Sequence, residues 1–200
     1  MVPARACKPF SADRDGMVFG EGSGFLVLED LDSALARNAR IYGEIIGYAA
    51  TSDGEDMVRP SHDGSRWADA IRQALAEASI APDRIDYVSC HGTGTRENDR
   101  AEVRAITDAL GRTDVPIGSI KSMIGHAFGG ASALELVCLG MILVDKILPP
   151  TINYSAPDPE CDIDCVPNEA RPVTRCDYAL KTATGFGGSN MALVMAGWED

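Results

Sequence analysis

The sequence predicts an α/β fold in which helices cover the faces of a mixed β-sheet. Short apolar runs alternate with longer segments of helical periodicity along most of the 200 residues, the pattern of layered α/β domains. The chain then closes with two strand-like runs joined by a glycine-rich turn. Hydrophobic residues make up 45% and charged residues 24% of the sequence, which is typical of a globular domain with a buried core.

The first elements follow from local patterns. Residues 17–29 contain the apolar run Phe25-Leu26-Val27-Leu28 and predict a buried strand, and a short helix is expected at 31–40. A strand is expected at 41–50. Residues 65–79 predict a helix, because Trp67 and Ile71 share one face with three further apolar residues at 3.6-residue spacing. Strand and helix therefore alternate from the start.

The alternation continues to the end of the chain. Strands are expected at 85–90 and 115–118, a helix capped by Asn98 or Asp99 and ending at Leu110, a loop at 119–128, an irregular arm at 151–172, and final strands at 178–184 and 191–196. No repeat or linker interrupts this order, so we predict a single domain.

Residues 127–144 are mostly small and apolar and could be mistaken for a membrane span. They include Glu135, and a carboxylate in the middle of a span is costly in lipid. The stretch is also at the short limit for crossing a bilayer. We therefore predict a helix buried on all sides inside a protein, and no membrane association.

Charge and cysteine content limit the possible functions. The formal net charge of −12 argues against nucleic acid binding, which needs clustered basic side chains. The N-terminal residues lack the apolar core of a signal peptide, so we expect a cytoplasmic protein with six reduced thiols. Cys161 and Cys165 form an isolated C-x3-C pair without a second pair, and no metal site is predicted.

Three glycine-containing motifs stand out: HGTGT at 91–95, KSMIGH at 121–126 and GFGGSN at 185–190. Two of the three histidines lie in these motifs, with a lysine five residues before the second. Imidazole N–H groups can donate to a carbonyl oxygen that is gaining charge, and an ammonium can orient the same group. His62 lies in a polar loop and is interpreted as a surface residue.

Each motif alone also has a purely structural interpretation. A single histidine is more often structural than catalytic, and residues 185–190 could be no more than a tight turn between two strands. Thr93 and Thr95 could bond to the local backbone or face a polar substrate. The residues by themselves leave these alternatives open.

In combination, the three motifs resemble those of the β-ketoacyl-ACP synthases, the condensing enzymes of fatty-acid and polyketide synthesis. The segments DRDGMVFGEGSGFLVLED at 13–30 and PPTINYSAPDPECDIDCVPNEAR at 149–171 resemble the same family, most closely its elongating type II members. The resemblance implies a thiolase-like fold of two similar α/β halves in five layers. Residues 1–40 would end the N-terminal half and 41–200 would form the C-terminal repeat.

The resemblance also implies a decarboxylative Claisen condensation of malonyl-ACP with an acyl thioester. His91 and His126 would hold the malonyl thioester carbonyl and stabilise the enolate, and Lys121 would position them by pairing with Glu135. The further implied roles are these: an oxyanion hole at the backbone N–H of Phe186, contacts to the phosphopantetheine arm from Thr93, Thr95, Gly187 and Gly188, structural support from Glu102 and Asn190, and an acyl gate at Thr184 in place of a phenylalanine. No cofactor is implied beyond the phosphopantetheine arm that the acyl carrier protein delivers.

The nucleophilic cysteine of the family belongs to the N-terminal half, and none of the six cysteines here has its setting. Cys90 adjoins His91 but would point to the opposite face of its strand, and Cys138 would be an inert residue of the apolar helix. Three hypotheses follow: a subunit of a split synthase whose partner carries the cysteine, a non-catalytic subunit like the chain-length factors, or a truncated synthase. We expect an obligate hetero-oligomer, because the chain alone would expose a large apolar face.

Overall fold

The structure is a computed structural model that describes residues 3–198. In chain order its elements are α1 (Leu31–Ala36), β1 (Glu44–Ser52), α2 (Ser65–Ala78), β2 (Tyr87–Ser89), α3 (Arg96–Leu110), β3 (Ile117–Gly118), α4 (Lys121–Ile124), α5 (Ala131–Asp145), β4 (Ile147–Leu148), β5 (Arg171–Pro172), β6 (Tyr178–Gly185) and β7 (Ser189–Ala196). Short 3-10 turns occur at Pro3–Arg5, Pro82–Arg84, Phe128–Gly130 and Pro159–Cys161.

Five strands form one mixed sheet in the order β1-β7-β6-β2-β3. The hairpin partners β6 and β7 are antiparallel, as are β1 and β7, whereas β2 runs parallel to both β3 and β6. Strands β4 and β5 form a separate antiparallel pair. The predicted mixed-sheet α/β class is confirmed, together with the helix at 65–79 and the strands expected at 41–50, 85–90, 115–118, 178–184 and 191–196.

Helices cover both faces of this sheet. Val88 and Leu180 pack with Trp67 in a core under α2 and α3. The preceding residues, Tyr87 and Ala179, pack with α5 in a second core on the opposite face. Successive side chains of a strand point to opposite faces of the sheet, which explains the two cores. The domain therefore has three layers, and the ends of the central strands lie between the helices of the two outer layers.

Helix α3 differs from the prediction at its start. It begins at Arg96, with Thr95 as N-cap, so neither Asn98 nor Asp99 caps it. The reason is that the buried Asp99 carboxylate accepts hydrogen bonds from the backbone N–H groups of Phe10, at 2.9 Å, and Gly94, at 3.2 Å. Asp99 therefore anchors two loops instead. The predicted loop at 119–128 also contains the helical turn α4.

The prediction of a buried strand at 17–29 was wrong for the chain by itself. The segment is extended but forms only one bridge, between Phe19 and His126, and Phe25 is 90% exposed. Within residues 3–198 no strand runs beside it, so its backbone groups have no ladder to join. Instead it follows the start of α5, where a Cβ on Gly24 would lie 2.9 Å from the carbonyl carbon of Ala133.

Helix α5 is also not buried on all sides. One side packs on the sheet, but Val137, Met141 and Val144 are 37%, 52% and 38% exposed. We call this outer side, with the adjoining residues of the extended segment, the open apolar face; its members are Phe19, Phe25, Val27, Leu28, Phe128, Val137, Met141 and Val144. The expectation that the chain alone exposes a large apolar surface is met.

The stretch Phe128–Asp145 is long and apolar enough to cross a membrane by length and composition alone, with a mean hydropathy of 1.7. Its middle, however, contains Glu135, which is buried and ion-paired with Lys121. A charged residue with a dedicated partner on a neighbouring element is the arrangement of a core helix. We therefore treat α5 as part of a layered α/β core.

Candidate functional site

The site is built at the carboxyl end of β2. Residues 87–89 pair with 179–181 of β6 in parallel register, and the chain then leaves the sheet as His91-Gly92. Cys90 points into the core under α2 and α3, so His91 lies toward the other face, as the alternation predicts. In α/β sheets, strand carboxyl ends commonly carry the functional loops.

Glu102 of α3 holds the backbone of this loop. Its buried carboxylate accepts hydrogen bonds from the N–H of His91 at 2.6 Å, the N–H of Gly92 at 2.8 Å and the hydroxyl of Thr182 at 2.7 Å. Burial raises the pKa of Glu102, while the hydrogen bond from Thr182 opposes that rise. Three donors on one carboxylate fix the position of the His91 loop.

Lys121 holds the same loop from its carbonyl side. Its buried ammonium donates to the carbonyl oxygen of His91 at 2.6 Å and to the carboxylate of Glu135. Burial lowers the pKa of Lys121, and Glu135 acts against this. The structure thus brings together Lys121 and Glu135, the pair named from the sequence, and connects both to His91.

A second buried lysine, which the sequence analysis missed, lies on the same carboxylate. The Nζ of Lys181 is 2.9 Å from Oε2 of Glu135, but outside hydrogen-bond geometry, so Oε2 has an ion-pair partner and no hydrogen-bond donor. Lys181 also donates to the carbonyls of Ser89, at 3.4 Å, and Thr182. The available signal was a lysine in the middle of an otherwise apolar strand.

His126 is held by the extended segment and by its own loop. Its N–H donates to the carbonyl of Val18 at 2.7 Å, and its carbonyl accepts from the N–H of Gly20 at 3.0 Å. The ring stacks on Phe128 with centroids 5.0 Å apart, and the Phe128 N–H donates to Nδ1 at 3.1 Å. Because Nδ1 is an acceptor, the proton of the neutral imidazole is on Nε2.

The two imidazoles face each other edge to face, with ring centroids 5.2 Å apart and planes at 86°. Burial lowers the pKa of His91 well below its ordinary value, with further contributions from Lys121, Lys181 and His126. Burial, followed by Lys121, also lowers the pKa of His126. Both shifts favour the neutral imidazole, and neutral imidazole N–H groups are suited to stabilising a developing oxyanion.

Thr93 and Thr95 follow His91 directly in the loop. Their hydroxyl oxygens lie 3.0 Å apart and form a hydrogen bond with each other. Thr93 is buried and Thr95 partly exposed. The structure therefore pairs the two hydroxyls beside His91, rather than tying them to the backbone of the turn.

The turn at 185–190 lies farther out. From Lys181, beside the end of β2, strand β6 continues for four residues, which is about 13 Å of extended chain. Phe186 is 67% exposed, and among the described residues no hydrogen bond or ring contact joins it to either histidine. The sheet thus orients this turn toward the same edge as the His91 loop.

Asp53 fixes the conformation of this turn. Its N–H donates to the carbonyl of Gly188 at 2.8 Å, and its carboxylate accepts from the amide of Asn190 at 2.6 Å. Gly188 has φ of +73°, and a Cβ there would meet that of Asp53 at 2.8 Å. The hydroxyl of Thr184 bonds to Asn190, and the N–H of Gly187 donates to the carbonyl of Met57 at 2.8 Å.

The remaining candidates lie apart from the site or are unreactive. Burial raises the pKa of the Cys90 thiol well above its ordinary value, and raises that of Cys138 to about 11, so neither is an activated thiolate. His62 is exposed and contacts Arg104. Across residues 3–198, no three His, Cys, Asp or Glu side chains are grouped to hold a metal ion.

Comparison with protein families gives two matches. Residues 42–155 match the model described as "Beta-ketoacyl synthase, C-terminal domain", and residues 1–34 match "Beta-ketoacyl synthase, N-terminal domain". Among curated proteins, a 3-oxoacyl-acyl-carrier-protein synthase 2 from Synechocystis sp. is 45% identical over 98% of the chain and 48% of its own length. The tetracenomycin polyketide synthase ketoacyl synthase alpha subunit of Streptomyces glaucescens is 46% identical, over 97% and 46%.

Solved structures give the same result. A type II polyketide ketosynthase, in complex with its acyl-carrier protein and bound to the hexaketide, superposes with a TM-score of 0.96 at 40% identity, covering 98% of this chain and 48% of that one. The ishigamide ketosynthase/chain length factor gives 0.93 at 39%, covering 97% and 47%. These likenesses identify the fold as thiolase-like. The chain spans about half the length of the relatives that it matches.

Proposed function

Because this chain belongs to the β-ketoacyl synthase family, we propose that it is the C-terminal half of a β-ketoacyl-ACP synthase, an acyltransferase that condenses malonyl-ACP with an acyl thioester. The observation that carries the proposal is the pair of facing imidazoles of His91 and His126, whose ring centroids are 5.2 Å apart. Their backbones are anchored through Glu102 and Lys121. Such a pair offers donors where a decarboxylation creates negative charge.

The proposed chemistry begins with the malonyl thioester carbonyl between the two rings. The bond to the terminal carboxylate breaks, CO2 leaves, and the electron pair passes into an enolate. Nε2–H of His126 and an N–H of His91 donate to the enolate oxygen and stabilise it more strongly than the initial carbonyl. The α-carbon then attacks the acyl thioester carbonyl, forms the new carbon–carbon bond and expels the cysteine thiolate of the N-terminal half.

The remaining roles are proposed from position. Thr93 and Thr95 lie directly after His91 and would contact the phosphopantetheine arm of the carrier protein, together with Gly187 and Gly188. The backbone N–H of Phe186, an exposed residue, would supply an oxyanion donor to the acyl thioester. The residues Thr184, Asn190, Glu102 and Glu135 would serve as the acyl gate and the structural support.

We also propose that an N-terminal half with the nucleophilic cysteine, on a partner chain or in a longer polypeptide, covers the open apolar face. Residues 1–40 would complete that half, in line with the family match at 1–34. An obligate interface is expected to be large and apolar. Co-expression with an N-terminal half from the family is expected to give a stable complex in analytical sedimentation. A stable, well-folded monomer that does not bind this half would contradict the proposal.

A non-catalytic role like that of a chain-length factor is the second candidate. It is favoured by the lack of an activated thiol in the described chain, where burial makes Cys90 unreactive. A structural subunit, however, has no chemical need for Lys121 to support two neutral histidines. Replacing His126 separates the candidates, since only the catalytic role requires its imidazole.

The test uses the assembled pair with malonyl-carrier protein and an acyl primer. His126→Ala is expected to lower condensation by about 10²-fold or more, as measured losses of single oxyanion donors suggest. His62→Ala is the matched control, because His62 is exposed and belongs to none of the three motifs, and should leave the rate unchanged. If the two variants condensed at the same rate, the proposed function would be wrong.

A further inference from the structure

Lys181 is buried beside Glu135 in the site, yet the proposed condensation gives it no role. Only 4% of its surface is exposed, and its ammonium lies 2.9 Å from Oε2 of Glu135. The other oxygen of Glu135 is occupied by Lys121. A single buried carboxylate thus lies between two buried ammonium groups, and a buried lysine is rare unless a specific partner requires it.

The strand itself explains how Lys181 reaches this position. Lys181 and Thr182 are consecutive on β6, so they point to opposite faces of the sheet. Lys181 meets Glu135 of α5, and the hydroxyl of Thr182 donates to Glu102 of α3 at 2.7 Å. Two neighbouring residues of one strand therefore serve both carboxylates on which the His91 loop depends.

The buried charges balance only when Lys181 is counted. Two buried acidic side chains, Glu102 and Glu135, support the His91 loop together with one buried basic side chain, Lys121, and Lys181 is the second basic side chain that matches them. Without it, the excess negative charge beside the imidazoles would favour their protonation. A protonated His126 would carry a hydrogen on Nδ1, which would then oppose the Phe128 N–H that donates there at 3.1 Å.

We propose that Lys181 is a positioning residue of this site: its ammonium holds the second oxygen of Glu135 and supplies the charge that keeps His91 and His126 neutral. This inference rests on the proposed function, since neutral imidazoles matter only if they act as donors. Direct contact between Lys181 and substrate is not part of it. The effect acts through the histidines.

The groups facing the histidines come from every surrounding element. Lys121 of α4 and Lys181 of β6 both lower the pKa of each histidine, after burial as the main cause. Glu135 of α5 raises the pKa of His126, and Glu102 of α3 accepts from the backbone of His91. Lys181 is therefore one of two cations that oppose protonation.

The experiment compares Lys181→Met with Lys146→Met in the chain assembled with its N-terminal half. Proton NMR of the histidine rings gives the titration of each, and the rate of CO2 release gives a pH profile. Lys181→Met is expected to raise the proton affinity of both histidines by about tenfold, as loss of a nearby charge in a partly polar interior implies. The acid limb of the profile should move to higher pH in parallel.

The control and the double variant separate this role from a merely structural one. Lys146 bonds to a backbone carbonyl and lies outside the site, so Lys146→Met should shift neither titration. Lys181→Met combined with Glu135→Gln removes one charge of each sign and should bring both titrations back toward the original. It also provides a variant without an excess buried charge if the single variant folds poorly.

The outcomes are distinct for the two levels of the argument. Histidine titrations unchanged in Lys181→Met, with CO2 release still dependent on His126, would overturn the role of Lys181 alone. If the unsubstituted pair releases no CO2 but Lys181→Met still shifts both histidine titrations, the proposed function is wrong and the electrostatic role of Lys181 is supported. Shifted titrations with a shifted pH profile support both.

Discussion

The backbone N–H of Phe128 donates a hydrogen bond to Nδ1 of His126 over 3.1 Å. This contact selects the tautomer of a neutral imidazole and leaves Nε2–H as its donor. The Phe128 ring also stacks on the imidazole, with an interplanar angle of 15°. Phe128, two residues after His126, therefore sets both the ring orientation and the proton position of that histidine.

This contact predicts the tautomer that a measurement should find. In the assembled protein at pH 7.5, nitrogen NMR of labelled histidine is expected to show His126 with its proton on Nε2. The His62 signal is removed with a His62→Ala variant, because Nη1 of Arg104 lies 3.2 Å from Nδ1 of that ring and would favour the same tautomer. A proton found on Nδ1 of His126 would mean that the hydrogen bond from Phe128 does not exist.

The pH dependence of stability follows from the two lowered histidine pKa values. An unfolded histidine takes up a proton near 6.5, whereas the folded rings resist protonation to lower pH because they are buried beside cations. The unfolded state thus binds more protons below about pH 6.5, and stability must fall as pH falls through that value. Above pH 6.5, the two histidines do not make the free energy of unfolding depend on pH.

Urea unfolding of the assembled pair between pH 7.5 and pH 5.5 measures this slope. A His91→Asn/His126→Asn double variant lacks both groups and is expected to lose part of the decline in unfolding free energy. His62 is retained in both proteins and cancels in the comparison. Equal slopes would show that the two rings take up protons over the same pH range in the folded and unfolded states.

The carboxylate of Glu102 should be irreplaceable by the matching amide. Glu102→Gln keeps the shape but leaves one oxygen acceptor for donors that now use two, so an N–H of His91 or Gly92 loses its partner. Leaving a buried donor unpaired costs about 1–3 kcal/mol. Glu97→Gln, at an exposed position of the same helix, should leave the free energy of unfolding measured with urea almost unchanged. Equal stabilities of the two variants would contradict this account.

Close backbone packing at Gly20 predicts that the extended segment controls His126. A Cβ at Gly20 would lie 2.1 Å from the carbonyl oxygen of Ile124, so Gly20→Ala must push the segment away from the loop. Displacement of about 1 Å can cost about 10²-fold in rate, and CO2 release should fall accordingly. Gly129→Ala is the control, because a Cβ there meets nothing within 4 Å. An unchanged rate in Gly20→Ala would show that the bridge to His126 is dispensable.

Periodicity predicted most of the fold, since each element packs on a sheet within the same chain. Helix α2 illustrates this: the apolar face containing Trp67 and Ile71 is the face that is buried. Two segments did not follow. The run Phe25–Leu28 and the outer side of α5 are apolar enough for a core, but the described chain has nothing to cover them. An apolar sequence pattern predicts that a surface is buried, but it does not identify the chain that buries it.

The site was less completely predictable. Motif spacing identified His91, Lys121 and His126, and the structure brings them together around Glu135. The role of Lys181 depends on strand register, which sets Lys181 opposite Ser89 and toward α5; no local motif contains that information. The start of α3 failed for a related reason, because Asp99 bonds to the distant Phe10 instead of capping its own helix.

The central claim is that this chain carries the decarboxylation apparatus and its N-terminal half carries only the acyl anchor. The most direct test is CO2 release from malonyl-carrier protein by a pair whose N-terminal half has its nucleophilic cysteine replaced by alanine. We predict that condensation stops, that CO2 release continues, and that adding His91→Ala and His126→Ala to this chain abolishes it. CO2 release that persists without both histidines would contradict the claim.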